Sequence, residues 1–471
     1  MSAVTKNNYS EDEVFYNSIR KIAEYDCFKD PETFVVTDNP WKRPIRPQTF
    51  KYFSFQSSDR ENFLSYSAFT ANRLLASLNE LDFIFLPNTK IDMNKDFRSF
   101  YNSELRKLAS MTIPTLQMMT LGFVDENVKI TGNWTKERFK SYFEARINGI
   151  MKITPPSFNL IRNSNYPKQA TEMLVIQHAL DFLVEASHMA RYALGDYGQL
   201  QSQLFRILLD EFGYGIHSSK HSTLFKNTLK SIGLNQNSHA YWQFYLNSSL
   251  LLNNYFHKIT KQPEHFFKYL GAITLAENIF GPYCSNTADL LKEIYDGQAD
   301  VNYYLEHAHI DKHHGLITYK DILLPAIDLY GTDIIPDIVL GIEQTLYLQE
   351  LAERDLCEQI QWMSNKNEYA KLGNEISHEV LNDIKKHSIT KLIEPIDELS
   401  VTHVHDGDEL CLVTKGVLEF ISGPNSSIQL TEGQAVVIKH NRLHGALVKS
   451  HECHYEIHSI GEYEKYANRS V

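Results

Sequence analysis

The sequence predicts a multidomain protein: an all-α helical bundle, a C-terminal all-β barrel, and a mainly helical region in front of both. Three observations lead there. A helical period of 3.6 dominates from Thr135 to about Ser364, and short alternating runs replace it after Asn382. The 20 histidines are concentrated between His178 and His314 and again between His403 and His458. The run VNYYLEHAHIDKHHG (301–315), set on a helix, brings His307, Asp311 and His314 within roughly 60° of one another. Tyr303, Tyr304 and Ile310 share that side, whereas Glu306, His309, Lys312 and His313 fall towards water. Two imidazoles and a carboxylate converging from an apolar face form a metal-ligand set; a histidine-rich helix with satisfied core histidines is the plainer reading.

Composition bounds the possibilities. Hydrophobic residues make up 43% and charged residues 22%, as in ordinary globular chains, and 471 residues suffice for two or three cores. A formal net charge of -12 argues against nucleic acid or an anionic membrane as the main partner. The start, MSAVTKNNYSEDEVF, has no apolar stretch of signal-peptide length, and no apolar run of about 18 residues occurs. The 5 cysteines (Cys27, Cys284, Cys357, Cys411, Cys453) are scattered, which fits a reducing compartment, and the expected location is the cytoplasm.

Residues 1–130 mix helix and loop signals. Ser10-Glu-Asp-Glu13 makes a capping box before an amphipathic segment, Val14 to Tyr25. Pro40, Pro44 and Pro47 enforce an extended stretch, and Phe63–Leu81 and Phe97–Met119 read as helices. With no cluster of ligand-type residues, this region reads as a dimerisation or scaffold domain, or as an elaboration of the next one.

Residues 131–370 form the predicted bundle. Lys136–Ile150, Gln169–Leu194, Gln199–Phe212, His239–Phe256, Pro263–Ile279, Cys284–His309 and Asp337–Trp362 read as helices. Glu185 shares a face with Leu174, Phe182 and Met189, and a carboxylate there is paired, protonated or a ligand. Glu185-Ala-Ser-His188 also has the ExxH spacing of di-iron bundles. In Asp210-Glu-Phe-Gly-Tyr-Gly215 the glycines are expected to break the helix and turn the chain back, so that Glu211 meets His221; the alternative is a helix end with surface charges. Glu277 sits in apolar Leu275–Phe280 and is either a ligand or a partly exposed acid. Together Glu185, Glu211, His221, Glu277, His307, Asp311 and His314 supply four carboxylates and three imidazoles, a mixed set suited to two Fe(II) or Mn(II) ions.

Residues 371–471 form the predicted barrel. Leu410–Val413, Val417–Ile421, Ala435–Ile438, Ala446–Val448 and Tyr455–Ile460 alternate between turns at Gly416, Gly423, Gly433 and Asn441. His403 and His405 share a face at period two, and His444 can close a three-histidine site for a mononuclear Fe(II). Glu409 is either a fourth ligand or a neighbour of the three, and a metal-free binding barrel is the plain alternative. Cys411, Val413, Cys453, Tyr455 and Ile457 are expected to line the cavity, with Tyr455 as the candidate catalytic contact to substrate or iron-bound oxygen.

These motifs carry resemblances. Glu185, the DEFGYG-x5-H-x2-LF block and HxxxDxxH resemble the haem-oxygenase-like di-iron oxidases and oxygenases, an all-α family that binds no haem; in that resemblance His188 is not a ligand. His403-Val-His405, Glu409 and Gly416 resemble the first cupin motif, where Glu409 would be a ligand. Gly433 and His444 keep part of the second, but Lys439 and Asn441 replace its usual Pro and Gly. The pairing of the two domains resembles the N-nitrosourea-forming enzymes, of which this chain would be a distant member. The resemblance implies two Fe(II) in the bundle, one in the cupin, O2, and a homodimer formed through the N-terminal region. It also implies Nω-methyl-L-arginine as substrate, hydroxylated at Nδ and Nω′ and then rearranged oxidatively to an N-nitrosourea. Electrons must come from NADH or a similar reductant, or a separate reductase, since no GxGxxG follows a strand. Two other functions stay open: a di-iron N-oxygenase of another amine or guanidine whose cupin has a different role, and a non-enzymatic cupin sensor of a small molecule. The ligand-type residues of the bundle count against the sensor.

Overall fold

The computed structural model describes residues 11–36, 39–87 and 95–467. It contains a helical N-terminal and central region followed by two antiparallel sheets.

In the N-terminal region the main helices are Glu11–Ile22, Tyr66–Asn79 and Ser103–Asn127. Ser10, read as a helix cap, lies outside the described residues. Ser65 caps the second helix, accepting from the Ala68 amide at 3.2 Å. That helix is buried over nearly its whole length, so this region is no loose appendage. Asn72 donates to Asn247 at 2.8 Å, and the fully buried Glu80 lies 3.3 Å from Arg43 and 3.0 Å from His239.

The bundle departs from the sequence expectation at three places. The segment expected as one helix from Gln169 to Leu194 is the helix Pro167–Phe182, then a turn holding Glu185, then the short helix Ser187–Ala190. Ala186 takes a left-handed φ of 61° there. Between Pro263 and His309, two helices were expected with a break near Pro282. Instead Phe266–Ile294 is continuous through Pro282, and the break comes at Asp296-Gly297, both at positive φ. Asp300 then accepts from the Asn302 amide and starts the helix Asn302–Leu316. Thirdly, His239 has a φ of 60° and begins no helix; Asn247–Lys261 starts eight residues later.

The two central helices approach closely at small residues. Gly281 faces Asp311 and His307, where an added Cβ would lie 3.4 Å from the Asp311 Cβ. Gly315 faces Glu277 and Asn278, where a Cβ would lie 2.9 Å from the Asn278 side chain. A π-helical turn, Ile317–Leu323, follows directly, as such turns often do beside functional sites.

The strands of the barrel are β1 Ser388–Pro395, β2 Leu399–His403, β3 Asp408–Lys415, β4 Val417–Gly423, β5 Ser426–Thr431, β6 Ala435–Ile438, β7 His444–Val448 and β8 Glu452–Gly461. Their order is β1-β8-β3-β6 in one sheet and β2-β7-β4-β5 in the other. The polar stretch before it is a helix, Lys366–Asn382, whose Ile376 and Val380 cover Leu410, Leu412, Ala435 and Val437. That cover explains why β3 and β6 are apolar on both faces.

The helix Ile335–Ser364 runs through both cores. Ile338, Ile342 and Leu348 pack in the bundle; Trp362 packs with Phe420 and Val448 in the barrel. Between them Asp355 accepts from Ser248 at 2.7 Å and pairs with the buried Arg442 at 3.2 Å. Gln359 bonds both backbone groups of Leu443, at 2.9 Å each.

Candidate metal centres

The bundle brings two groups of donors together. Glu185, Glu211, His221 and His307 each offer an atom within 4.8 Å of the others, and so do Glu211, Glu277 and His314. Glu211 belongs to both. The chain achieves this by turning sharply after the helix Gln199–Glu211: Gly213, Tyr214 and Gly215 all have positive φ. Gly213 is obligatory, since a Cβ would come within 2.5 Å of the Lys220 backbone. The chain returns with His221 as the first residue of the helix His221–Ser231, and its Nδ1 lies 2.6 Å from a Glu211 oxygen.

The helix Asn302–Leu316 supplies the opposite wall. His307 Nε2 lies 3.0 Å from Glu185, and His307 Nδ1 lies 3.3 Å from Asp311. His314 Nδ1 lies 3.4 Å from Glu211 and 3.3 Å from Glu277. Asp311 joins neither group in full; one oxygen faces His307 and the other is buried without a partner. His309 and His313 are exposed, and His313 lies 3.0 Å from Arg206.

Buried nitrogen and carboxylate atoms that crowd together without directed hydrogen bonds mark where a cation fits. Glu185 Oε2, Glu211 Oε2, His221 Nδ1, His307 Nε2, Asp311 Oδ2 and His314 Nδ1 are all buried without a directed hydrogen bond. Orphaned donors and acceptors in one place are costly unless an ion satisfies them. The protonation states agree. Burial raises the Glu185 carboxyl and pushes Asp311 up to about 7. Burial would also raise Glu211, but the neighbouring His221 outweighs it and holds that group at about 2. Burial disfavours a charged His314, yet Glu277 and Glu211 bring it up to about 9. Protons thus hold the places where a metal charge would sit.

In the barrel, His403 ends β2 and His444 begins β7, directly opposite each other in register. His405 lies just past the strand, with its Nε2 3.0 Å from that of His403. The Nδ1 atoms of His403 and His444 bond the carbonyls of Val401 and Arg442 at 2.8 and 2.9 Å, fixing Nε2 as the free nitrogen. Burial keeps all three rings neutral: His405 falls to about 4, and the other two fall well below the usual value. Asn441, standing where the cupin motif has Gly, takes the left-handed φ of 58° that a glycine would, and its amide donates to the His405 carbonyl.

Comparison with known proteins now adds the family. A family model described as an iron-containing redox enzyme matches residues 172–350, the span that holds every bundle donor named above. Nitrosourea synthase from Streptomyces achromogenes subsp. streptozoticus is 41% identical over 451 residues, covering 95% of this chain and 96% of that protein. The chain belongs to the nitrosourea synthase family. As a member of that family it carries an iron-containing redox enzyme domain in its bundle.

Within this family member, the turn at Ala186 directs His188 away from the donors: it packs against His257 with ring centroids 4.4 Å apart, so the ExxH spacing has no counterpart in space. Among the described residues Glu409 approaches one histidine of the three, His405, at 3.0 Å, while its other oxygen accepts from Ser459. Cys411, Val413, Cys453 and Tyr455 are buried in the barrel core, and the Tyr455 hydroxyl donates to Glu394. Sequence reasoning missed Asp210, which lies 3.1 Å from His314 Nε2, and Tyr303 as a hydrogen-bond donor to Glu185 at 2.7 Å. The adjacent acids in Asp210-Glu211 were the available signal. A helix offers successive residues different faces, and here one faces a donor group while the other backs a histidine.

Proposed function

We propose that the chain is an iron- and O2-dependent nitrosourea synthase acting on Nω-methyl-L-arginine. In this reading the bundle holds two Fe(II), and substrate bound there is hydroxylated at Nδ and Nω′. The barrel holds one Fe(II), and the dihydroxylated product is rearranged oxidatively there to an N-nitrosourea. When bound, iron supplies O2 activation at both places, with electrons from NADH, a similar reductant or a separate reductase. The observation that carries the reading is the presence in one chain of two donor sets of different chemistry. One is carboxylate-rich and shares Glu211 between two groups; the other is three neutral histidines.

The residues divide the work accordingly. Glu185, Glu211, His221, Glu277, His307 and His314, with Asp311 beside His307, would hold the ions of the bundle, and Tyr303 and Asp210 fix the donors they bond. His403, His405 and His444 would hold the barrel iron, which would supply O2 activation there. Glu409, which burial brings up to about 7, holds or releases a proton beside His405 rather than ligating the ion. Tyr455 orients substrate through its link to Glu394. The N-terminal region pairs two chains as a homodimer, and the assembly works in the cytoplasm; among the described residues no helix is long and apolar enough to cross a membrane.

The deciding experiment is product mass by LC–MS after aerobic incubation with Fe(II), a reductant and Nω-methyl-L-arginine. An N-nitrosourea is expected. Hydroxylated arginine without N–N bonding would remove the barrel's assigned role, and unchanged substrate with O2 still consumed would overturn the substrate.

A further inference from the structure

A pocket lies between the N-terminal region and the barrel, and it shares His403 with the three-histidine group. Its other walls include Ile45, Arg46, Tyr66, Arg73 and Thr402. Arg46 and Arg73 therefore both border one small space beside the three histidines. Neither makes an ion pair among the described residues. Arg73 is almost wholly buried. It donates to the Thr402 carbonyl at 2.6 Å, the Gln243 carbonyl at 2.8 Å and the Thr402 hydroxyl at 2.8 Å, and its Nε has no partner. The other buried arginines among the described residues, Arg43 and Arg442, each have a carboxylate against them.

Arg46 is held in place against its own backbone preference. It takes a φ of 53°, left-handed and uncommon for a residue with a Cβ, directly before Pro47, which disfavours compact conformations in its predecessor. The Arg46 carbonyl accepts from the Thr49 and Phe50 amides, and its guanidinium donates to Ser400 on β2. Strained backbone of this kind concentrates at ligand-holding positions. The charge of Arg46 reaches the site as well, since it disfavours protonation of His403, His405 and His444. Asp30 feels the same charge without pairing with it.

A buried arginine with no carboxylate against it, beside a second, half-buried one, is costly, and a planar guanidinium is the preferred partner of a carboxylate. We propose that Arg46 and Arg73 form a carboxylate-binding subsite beside the three histidines, which takes the α-carboxylate of the amino-acid substrate processed in the barrel. This rests on the reading that the barrel acts on an arginine-derived amino acid. A guanidine end, itself a potential cation, is repelled by the same pair and is thereby turned towards the histidines. The subsite thus sets orientation as well as affinity.

The test uses the full-length chain, wild type and Arg46→Gln, with two probes: the dihydroxylated Nω-methyl-L-arginine and its decarboxylated amine. Calorimetric binding to the metal-free protein is expected to weaken tenfold or more for the amino acid in R46Q, and less than twofold for the amine. After iron loading, R46Q is expected to raise KM for the supplied amino acid with kcat changed less than about threefold. Equal weakening for both probes, or none for either, overturns the subsite. A wild-type protein that discriminates the probes through Arg46 but forms no nitrosourea when loaded leaves the subsite standing and refutes the reaction assigned to the barrel.

Discussion

Removing the Asp210 carboxylate offers a sharp probe of the bundle centre, because Asp210 touches a donor without belonging to either donor group. Its oxygen lies 3.1 Å from Nε2 of the fully buried His314. That bond leaves Nδ1 as the nitrogen facing Glu211 and Glu277, at 3.4 and 3.3 Å. Asp210→Ala strands a buried N–H and frees the ring to choose its other tautomer. Outer carboxylates on metal-binding histidines are typically worth 10- to 100-fold in affinity, so the expected loss is ~1.4–2.7 kcal/mol. A hydrogen bond to a charged group, at ~1.5–3 kcal/mol, gives the same range. Asp210→Asn keeps an acceptor and loses only charge, so it should fall between wild type and Ala. The assay is Fe(II) titration under anaerobic conditions in a His403→Ala background, which leaves the bundle as the only centre counted. Affinity within twofold of the parent, in a protein with unchanged circular dichroism, would refute the role given to Asp210.

Other expectations follow from the same geometry. His403→Ala should spare N-hydroxylation and halt at hydroxylated arginine by LC–MS, whereas Glu211→Ala or His307→Ala should abolish hydroxylation yet leave conversion of supplied dihydroxy compound intact. Loss of both steps in any of the three would sink the separation of sites. Iron affinity in the bundle should rise with pH from neutrality towards about 9, because His314 must lose a proton that its raised pKa retains below that value. The barrel histidines, already neutral, should bind iron with no such slope over that window, and parallel titrations at several pH values read the difference. Gly213→Ala combines a forbidden contact with strained φ and should lower stability by ~1–3 kcal/mol, read as a lower denaturation midpoint; an unchanged midpoint would mean that the turn relaxes freely.

Much of this site was readable because its donors lie on regular helix or in short re-entrant motifs. His307, Asp311 and His314 could be placed from a 3.6 period alone, and the helix Asn302–Leu316 is continuous across them. The glycines after Glu211 announced a reversal, and their positive φ values are the physical form of that signal. Failures came where tertiary contacts override local preference. Pro282 sits inside a helix because the helix Asn302–Leu316 packs against it through Gly281. The stretch Lys366–Asn382 went unread as a helix because only a narrow stripe of it is apolar, and that stripe covers the outer face of β3 and β6. Strands β1 and β5 went unread since their residues are largely exposed or half-buried and alternate weakly. Long-range partners such as Asp210 for His314, or Ser459 for Glu409, leave no periodic trace at all.

The helix Ile335–Ser364 has a practical meaning for anyone who would take this protein apart. At 1.5 Å per residue its 30 residues form a strut of about 45 Å, with one end in each hydrophobic interior. No exposed tether exists there for a protease to nick or a cloner to cut. A barrel expressed from Lys366 onward would lose Trp362 from its interior and leave Arg442 without Asp355. A bundle truncated before Asp355 would forfeit the partner of Ser248. Dividing the gene at the change from helix to strand should therefore yield two insoluble pieces, and the roles of bundle and barrel are better separated by point substitution in the whole chain.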